Sequence, residues 1–140
     1  MSEETGFLAR PDGEQVAWGK VAGAGPTVVW LGGFRSDMAG TKAQAIAEWA
    51  QATGRAHVRF DYFGHGESSG DFAQGTITRW REDALAVLDE LTEGPLVLVG
   101  SSMGGWISCL AAAVRAERLK AMVLIAPAPD FTEKLMTPEI

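Results

Sequence analysis

The segment GSSMG at residues 100–104 has the residue types and the spacing of a serine nucleophile. Gly100, Ser102 and Gly104 fit the pattern G-x-S-x-G, between an apolar run and a stretch with helical composition. A serine at the apex of a tight strand-to-helix turn has strained dihedral angles, and its hydroxyl group is held out at the start of the helix. Glycine on both sides leaves room for the strand and the helix to approach each other. The pattern therefore predicts that Ser102 attacks carbonyl groups.

Attack on a carbonyl group produces a negatively charged oxygen atom, which needs nearby N–H donors. The N–H group of Met103 lies at the start of the predicted helix, where the helix dipole favours negative charge. A second donor is expected in the loop after an earlier strand, and the segment LGGF places Phe34 there. We therefore predict Phe34 and Met103 as the two oxyanion donors, with Gly32 and Gly33 allowing the chain to turn after the strand.

Two other interpretations of the glycine-rich segment need no catalysis. In the first, Ser102 only caps the helix that follows it. In the second, the loop binds the phosphates of a dinucleotide. That site requires the spacing G-x-G-x-x-G early in a strand–helix–strand unit, which this segment lacks. The helix-capping interpretation therefore stays open, and the dinucleotide interpretation does not fit.

The segment RFDYFGHGESSG at residues 59–70 contains an acid and a base. On a fold with this kind of serine turn, the catalytic acid and then the histidine follow the serine, whereas Asp61 and His65 precede it. We predict that both have a structural role at the floor of the site. His57, inside a predicted strand, is expected to be a packed or surface residue.

A serine nucleophile requires a general base, and no histidine follows Ser102 in the sequence. Asp130 follows the next predicted strand and is assigned to ending that strand rather than to catalysis. We therefore expect residues 1–140 to form a single but incomplete domain, the N-terminal half to two-thirds of an enzyme. These residues alone are expected to show no more than trace esterase activity.

Short apolar segments alternate with segments that have the periodicity of amphipathic helices. Strands that are apolar on both faces and separated by single helices are typical of a parallel sheet between two helix layers. The predicted fold class is therefore α/β, with a doubly wound, mainly parallel sheet. Ligands bind at the carboxyl ends of the strands in such a sheet. The predicted strands are 27–31, 56–62, 96–100 and 119–128, and the predicted helices are 42–53, 77–94 and 102–116.

Composition argues against several classes of function. The net charge is −6 with no basic cluster, which argues against a nucleic-acid partner. No apolar run is long enough for stable membrane insertion. Two histidines and one cysteine lack metal-ligand spacing, and no cofactor is predicted. Cys109, expected to be a small buried helix residue, fits a reducing compartment, and the acidic N-terminus is unlike a targeting signal. We therefore expect a cytoplasmic location and make no prediction of oligomeric state.

Three segments together resemble one branch of the α/β-hydrolase superfamily: LGGFRSDMAGTKA, RFDYFGHGESSG and GSSMGGW. The branch contains mitochondrial acyl-protein thioesterases (S-depalmitoylases), which also cleave acyl-glucuronides, and their bacterial relatives. The similarity runs from about residue 10 to the end of the chain. The run from Met38 to Lys42, together with Trp106, is more specific to this branch than the serine turn is.

The resemblance implies a carboxylic ester or thioester substrate with a medium or long acyl chain, cleaved by a bacterial cytoplasmic enzyme. It implies that Ser102 is the nucleophile and that Phe34 and Met103 supply the oxyanion N–H groups. The acyl pocket is expected to draw on large apolar residues at the rim of the site: Phe34, Tyr62, Phe63, Met103 and Trp106. Two other hypotheses stay open. One is a non-catalytic α/β module that binds a ligand or partner. The other is a different chemistry on the same turn, such as cofactor-free haloperoxidase, C–C bond hydrolysis or acyl transfer.

Overall fold

A computed structural model describes residues 2–126 of the chain, which contain six strands and three α-helices. The strands are β1 (Glu3–Ala9), β2 (Gln15–Val21), β3 (Ala24–Leu31), β4 (Arg55–Phe60), β5 (Leu96–Ser101) and β6 (Leu119–Ile125). The helices are α1 (Thr41–Thr53), α2 (Ile77–Leu91) and α3 (Met103–Val114), and two short 3₁₀ turns lie at Phe72–Gln74 and Ala116–Arg118.

The strands form one sheet in the spatial order β1-β2-β4-β3-β5-β6. β4, β3, β5 and β6 run parallel, with Val29 of β3 opposite Val58 of β4 on one side and Leu98 of β5 on the other. β1 and β2 form an antiparallel hairpin, and β2 pairs antiparallel with β4. The predicted α/β class and the parallel strands are confirmed. The hairpin was not predicted, and it makes the sheet mixed.

Helices cover both faces of the parallel strands, as a doubly wound sheet requires. α2 and α3 pack on one face, where Leu31, Val87 and Ile107 belong to the main apolar core. α1 covers the other face, where its Ala43 lies in a smaller cluster with Trp30. Trp30 and Leu31 are neighbours in β3 and point to opposite faces. This two-sided burial is why β3 is apolar at successive positions.

Two loops at the carboxyl ends of the parallel strands carry the remaining chemistry. The β3–α1 loop comprises residues 32–40 and the β4–α2 loop comprises residues 61–76. Because β3 and β4 are neighbours in the sheet, these loops lie side by side. Thr76 closes the second loop, since its hydroxyl oxygen accepts a hydrogen bond from the N–H group of Arg79 at 3.0 Å and caps α2.

One residue of α3 differs from its prediction. Cys109 is exposed, although the sequence analysis predicted a buried position. The buried face of α3 includes Ile107, Ser108 and Ala111. Each residue of an α-helix is rotated by about 100° from the one before it. Cys109 is thereby turned away from the sheet, and its apolar sequence neighbours gave a misleading signal.

Candidate active site

Ser102 lies in the turn between β5 and α3, at the carboxyl end of the parallel strands. Its φ and ψ angles are 57° and −118°, a region that residues other than glycine rarely occupy. The residue is exposed, and its side chain makes no capping hydrogen bond to α3. The predicted strained turn is therefore present, and the helix-capping interpretation does not describe Ser102.

The two glycines of the motif are required by close approach of the backbone. A Cβ atom on Gly100 would lie 2.5 Å from Oγ of Ser108 and 2.6 Å from the carbonyl carbon of Gly104. A Cβ atom on Gly104 would lie 2.6 Å from the carbonyl oxygen of Gly32. A side chain at either position would therefore push α3 away from β5 or from the end of β3, as predicted for both glycines.

The β3–α1 loop reaches the same place. A Cβ atom on Gly33 would lie 3.5 Å from the Cβ atom of Ser102, so the loop packs against the serine. Phe34, the next residue, is partly exposed. Met103 is the first residue of α3, and the N–H group at this position has no carbonyl acceptor four residues earlier within the helix. The structure thus brings Ser102, Met103, Gly33 and Phe34 together at one edge of the sheet.

The turn in the β3–α1 loop is made by Arg35 rather than by a glycine. Arg35 has a φ of 62°, whereas neither Gly32 nor Gly33 has a positive φ. The prediction that the two glycines allow the turn was wrong in this respect. The Arg35 guanidinium lies over the rings of Phe72 and Phe34, at 4.9 Å and 5.6 Å from their centroids. Such cation–π contacts hold the side chain over the loop.

The β4–α2 loop holds the β3–α1 loop in place through buried polar groups. The Tyr62 hydroxyl donates a hydrogen bond to the carbonyl oxygen of Gly32 at 3.0 Å. Oδ1 of Asp61 accepts one from the N–H group of Met38 at 2.7 Å, and Oδ2 accepts one from Glu67 at 3.0 Å. Burial raises the pKa of Asp61, and these two donors oppose the rise. The contacts of Asp61 agree with the structural role predicted for it.

His65 uses both ring nitrogens within the protein. Its Nδ1 lies 3.0 Å from the carbonyl oxygen of Phe63, and its Nε2 lies 3.1 Å from the backbone nitrogen of Arg35. A carbonyl oxygen only accepts and a backbone N–H only donates, so these partners assign the ring proton to Nδ1 and make the ring neutral. Burial lowers the pKa of His65, which favours this form at neutral pH. His65 is therefore not hydrogen-bonded to Ser102, in agreement with its predicted structural role.

A buried carboxylate on α2, which the sequence analysis did not single out, supports the β4–α2 loop. Oδ2 of Asp83 accepts a hydrogen bond from the N–H group of Phe63 at 2.8 Å. Oδ1 lies 3.1 Å from Nε of Arg79 and 3.4 Å from Nε of Arg10. Burial raises the pKa of Asp83, and the Phe63 N–H group and the arginines oppose that rise. Its position three residues after the buried Trp80, on the apolar face of α2, was the available signal.

His57 lies at the opposite end of the sheet. Its Nδ1 donates to the carbonyl oxygen of Val28 at 2.7 Å, and it is fully buried, which lowers its pKa. It lines a cleft of about 450 Å³ near the start of β4. The packed position predicted for His57 is confirmed. Within residues 2–126, no side-chain base is hydrogen-bonded to Ser102, and Asp130 lies outside the described residues.

A cleft of about 340 Å³ opens beside Ser102, lined by residues that include Trp30, Gly33, Phe34, Ser36, Asp37 and Lys42. Of the five residues predicted for the acyl pocket, three belong to the buried core: Tyr62, Phe63 and Met103. Their predicted place at the rim was wrong, because the core behind the loops needs large side chains. Phe34 and Trp106 are partly exposed and remain available at the rim.

The profile of the family described as "Serine aminopeptidase, S33" matches residues 26–140, which include both loops and the serine turn. The chain belongs to this family of α/β-hydrolases. The S33-family chain is 44% identical over 124 residues to the mitochondrial palmitoyl-protein thioesterase ABHD10 of Homo sapiens, covering 89% of the chain and 40% of the human protein. This match confirms the predicted resemblance.

Two solved structures are similar to this S33-family chain. Alpha/beta hydrolase domain-containing protein 10 from mouse has a TM-score of 0.90 and 39% identity, covering 97% of this chain and 55% of the mouse chain. A protein from Agrobacterium vitis S4, described as a hydrolase, has a TM-score of 0.89 and 45% identity, covering 100% and 58%. The chain thus spans 40% of the length of the human relative and a little over half of these two structures.

In the part of the chain that the structure describes, every helix is too short or too polar to cross a membrane. Over the same residues, there is no group of three or more His, Cys, Asp and Glu side chains that could hold a metal ion.

Proposed function

We propose that the protein is a serine hydrolase that cleaves carboxylic esters or thioesters through an acyl-enzyme on Ser102. The observation that carries this proposal is the strained and exposed backbone conformation of Ser102 at the start of α3. A residue other than glycine in such a conformation costs about 1–3 kcal/mol, and such strain clusters at functional sites. Membership of a hydrolase family supports the same function.

The proposed reaction begins when Oγ of Ser102 bonds to the carbonyl carbon of the substrate while a general base takes the hydroxyl proton. The tetrahedral intermediate then collapses, the bond to the leaving group breaks, and the base returns its proton to the departing alcohol or thiol. Water attacks the acyl-serine by the same route and releases the carboxylic acid. The base and its acid partner are the two components that residues 2–126 do not bring to Ser102.

The N–H groups of Phe34 and Met103 are proposed to stabilise the oxyanion of both tetrahedral intermediates. Their support is position: Phe34 follows Gly33, which packs against Ser102, and Met103 begins the helix whose dipole favours negative charge. Loss of one such donor typically lowers kcat by about 10²- to 10³-fold. The placement of the β3–α1 loop is therefore expected to matter as much as the serine turn.

A thioester with a long acyl chain is the substrate class that we propose. The human relative carries the name palmitoyl-protein thioesterase. In this chain, Phe34 lines the cleft beside Ser102, and Trp106 lies one helical turn after Ser102. These two partly exposed aromatic side chains offer an apolar surface on which an acyl chain can pack.

A reducing compartment such as the bacterial cytoplasm is proposed as the location. The exposed free thiol of Cys109 supports it, because an unpaired surface cysteine is poorly suited to an oxidising compartment. The net charge of −6 supports a partner other than a nucleic acid.

The test is hydrolysis of a palmitoyl thioester and of the matching oxygen ester by the protein produced from its complete coding sequence. Ser102→Ala is the decisive variant, and Ser101→Ala is its matched control because Ser101 is the last residue of β5, just before the strained turn. We expect wild type and Ser101→Ala to hydrolyse the thioester and Ser102→Ala to fall to background. Equal rates for wild type and Ser102→Ala would overturn the proposal. Tight binding of the acyl compound without turnover would favour a non-catalytic binding module instead.

A further inference from the structure

The residue after the proposed oxyanion donor Phe34 is held in an unfavourable backbone conformation. Arg35 has a φ of 62°, and for a residue other than glycine the left-handed region costs roughly 1–2 kcal/mol. The loop therefore needs an external contact to stay in this conformation. Any relaxation of Arg35 would rotate the peptide unit that joins it to Phe34.

That contact comes from a side chain of the neighbouring loop. The N–H group of Arg35 donates to Nε2 of His65 at 3.1 Å, and Nδ1 of His65 is tied to Phe63 at 3.0 Å. The imidazole is buried, with 3% of its residue surface exposed. Four aromatic rings surround it, with centroids 5.1–6.5 Å away: Phe34, Tyr62, Phe72 and Trp80. The ring therefore has one orientation, with its acceptor nitrogen directed at Arg35.

The position of His65 is fixed by α2. The carbonyl oxygen of Phe63, which accepts from His65, also accepts from the indole N–H group of Trp80 at 3.0 Å. The N–H group of Phe63 donates to the buried carboxylate of Asp83 at 2.8 Å. Helix α2 thus anchors Phe63, Phe63 orients His65, and His65 holds Arg35.

We propose that His65 is a positioning residue of the oxyanion site, whose unprotonated Nε2 holds Arg35 and so sets the direction of the Phe34 N–H group. This inference rests on the proposed function, because it assigns a role at the site of Ser102. His65 does not touch the reacting atoms, and its effect is transmitted through the backbone of the β3–α1 loop.

Protonation of His65 would remove this hold. An imidazolium donates from both nitrogens, so Nε2 could no longer accept from Arg35. The charged groups that face the ring are the Asp83 carboxylate, which is paired with Arg79, and the Arg35 guanidinium over the neighbouring rings; the neutral Tyr62 hydroxyl is also nearby. Burial outweighs the carboxylate and keeps the pKa of His65 below its usual value. The hold is therefore complete at neutral pH and is lost on the acid side.

Two substitutions separate the two hydrogen bonds of His65. In His65→Asn, the shorter amide can still donate to the Phe63 carbonyl but presents no acceptor to Arg35. In His65→Gln, the longer amide can present its oxygen to Arg35, and that oxygen does not titrate. We expect His65→Asn to lower kcat by about tenfold to a hundredfold with little change in KM, since a displaced donor acts mainly on the transition state. His65→Gln is expected to keep a larger share of kcat and to lose activity less steeply than wild type as the pH falls.

The experiment uses the protein from its complete coding sequence, with the pH profile of kcat for wild type and both variants. In parallel, NMR records the Arg35 and Phe34 amide signals across the titration of His65, which needs no activity. Equal losses in His65→Asn and His65→Gln, or Arg35 amide signals that do not move with the His65 titration, would overturn the inference. Wild-type activity equal to that of Ser102→Ala would instead overturn the proposed function, and the NMR titration would still report whether His65 holds Arg35.

Discussion

The carbonyl oxygen of Gly32 lies 2.6 Å from the point where a Cβ atom of Gly104 would stand. The start of α3 is thereby in direct backbone contact with the end of β3. The serine turn and the loop that carries Phe34 consequently share one packing contact, and a side chain at position 104 would displace both. The glycine is needed because of its missing side chain, since Gly104 has an ordinary helical conformation.

Gly104→Ala is expected to destabilise the fold by about 1–3 kcal/mol, the range for overpacking a tight site. The matched control is Gly33→Ala in the β3–α1 loop, where an added methyl group would meet its neighbours at 3.5 Å and φ is not positive. Urea denaturation would measure both. A free energy of unfolding for Gly104→Ala equal to that of Gly33→Ala would contradict the close approach of α3 and β3.

Two aspartates of α2 provide a test of the buried carboxylate. Asp83 is fully buried between Arg79 and Arg10, whereas Asp89 pairs with Arg115 at the surface. Removing one partner of a buried ion pair typically costs about 3–5 kcal/mol, and exposed pairs contribute about 0–1 kcal/mol. Asp83→Ala is therefore expected to destabilise the protein far more than Asp89→Ala. Thermal denaturation of both variants measures this difference, and similar melting temperatures would refute the anchoring role of Asp83.

The stability of the protein is expected to fall as the pH drops from about 6.5. The pKa of His65 is lower in the folded protein than the ordinary 6.5, so the unfolded chain takes up the proton first. The stabilising contribution of His65 is complete above 6.5 and is lost as the pH falls toward the folded pKa. His57 acts in the same direction. The raised pKa values of Asp61 and Asp83 have the opposite effect.

His65→Gln isolates the contribution of His65, because the other three groups are unchanged in it. The free energy of unfolding in urea, measured between about pH 7.5 and about pH 5.5, should fall less steeply for this variant than for wild type. Parallel pH profiles would show that His65 is not held neutral in the fold.

Much of the fold could be predicted from the sequence because its central strands are buried on both faces. The runs that became β3, β5 and β6 are almost wholly apolar, and α2 shows a clear apolar face. The hairpin of β1 and β2 was missed because β1 has a largely exposed surface, with acids and glycine among its residues. Its place in the sheet depends on pairing with β2, which no local pattern shows.

The candidate site was predictable where a short motif dictates local geometry and not where the geometry depends on tertiary contacts. The G-x-S-x-G spacing predicted the strained turn at Ser102, because the same few residues make the turn. The left-handed conformation of Arg35 was not predictable, since its stabilising contact comes from His65, 30 residues away in the chain. The burial of Asp83 similarly depends on the Phe63 N–H group, which belongs to another loop.

The central claim, that Ser102 is an activated nucleophile, is tested most directly by reaction with a fluorophosphonate probe followed by mass-spectrometric mapping of the adduct. The protein from its complete coding sequence should take up one equivalent, on the peptide that contains Ser102. The adduct should persist in Ser101→Ala and be absent from Ser102→Ala. An adduct on a different serine, or an unlabelled wild-type protein under conditions that label a known serine hydrolase, would contradict the account.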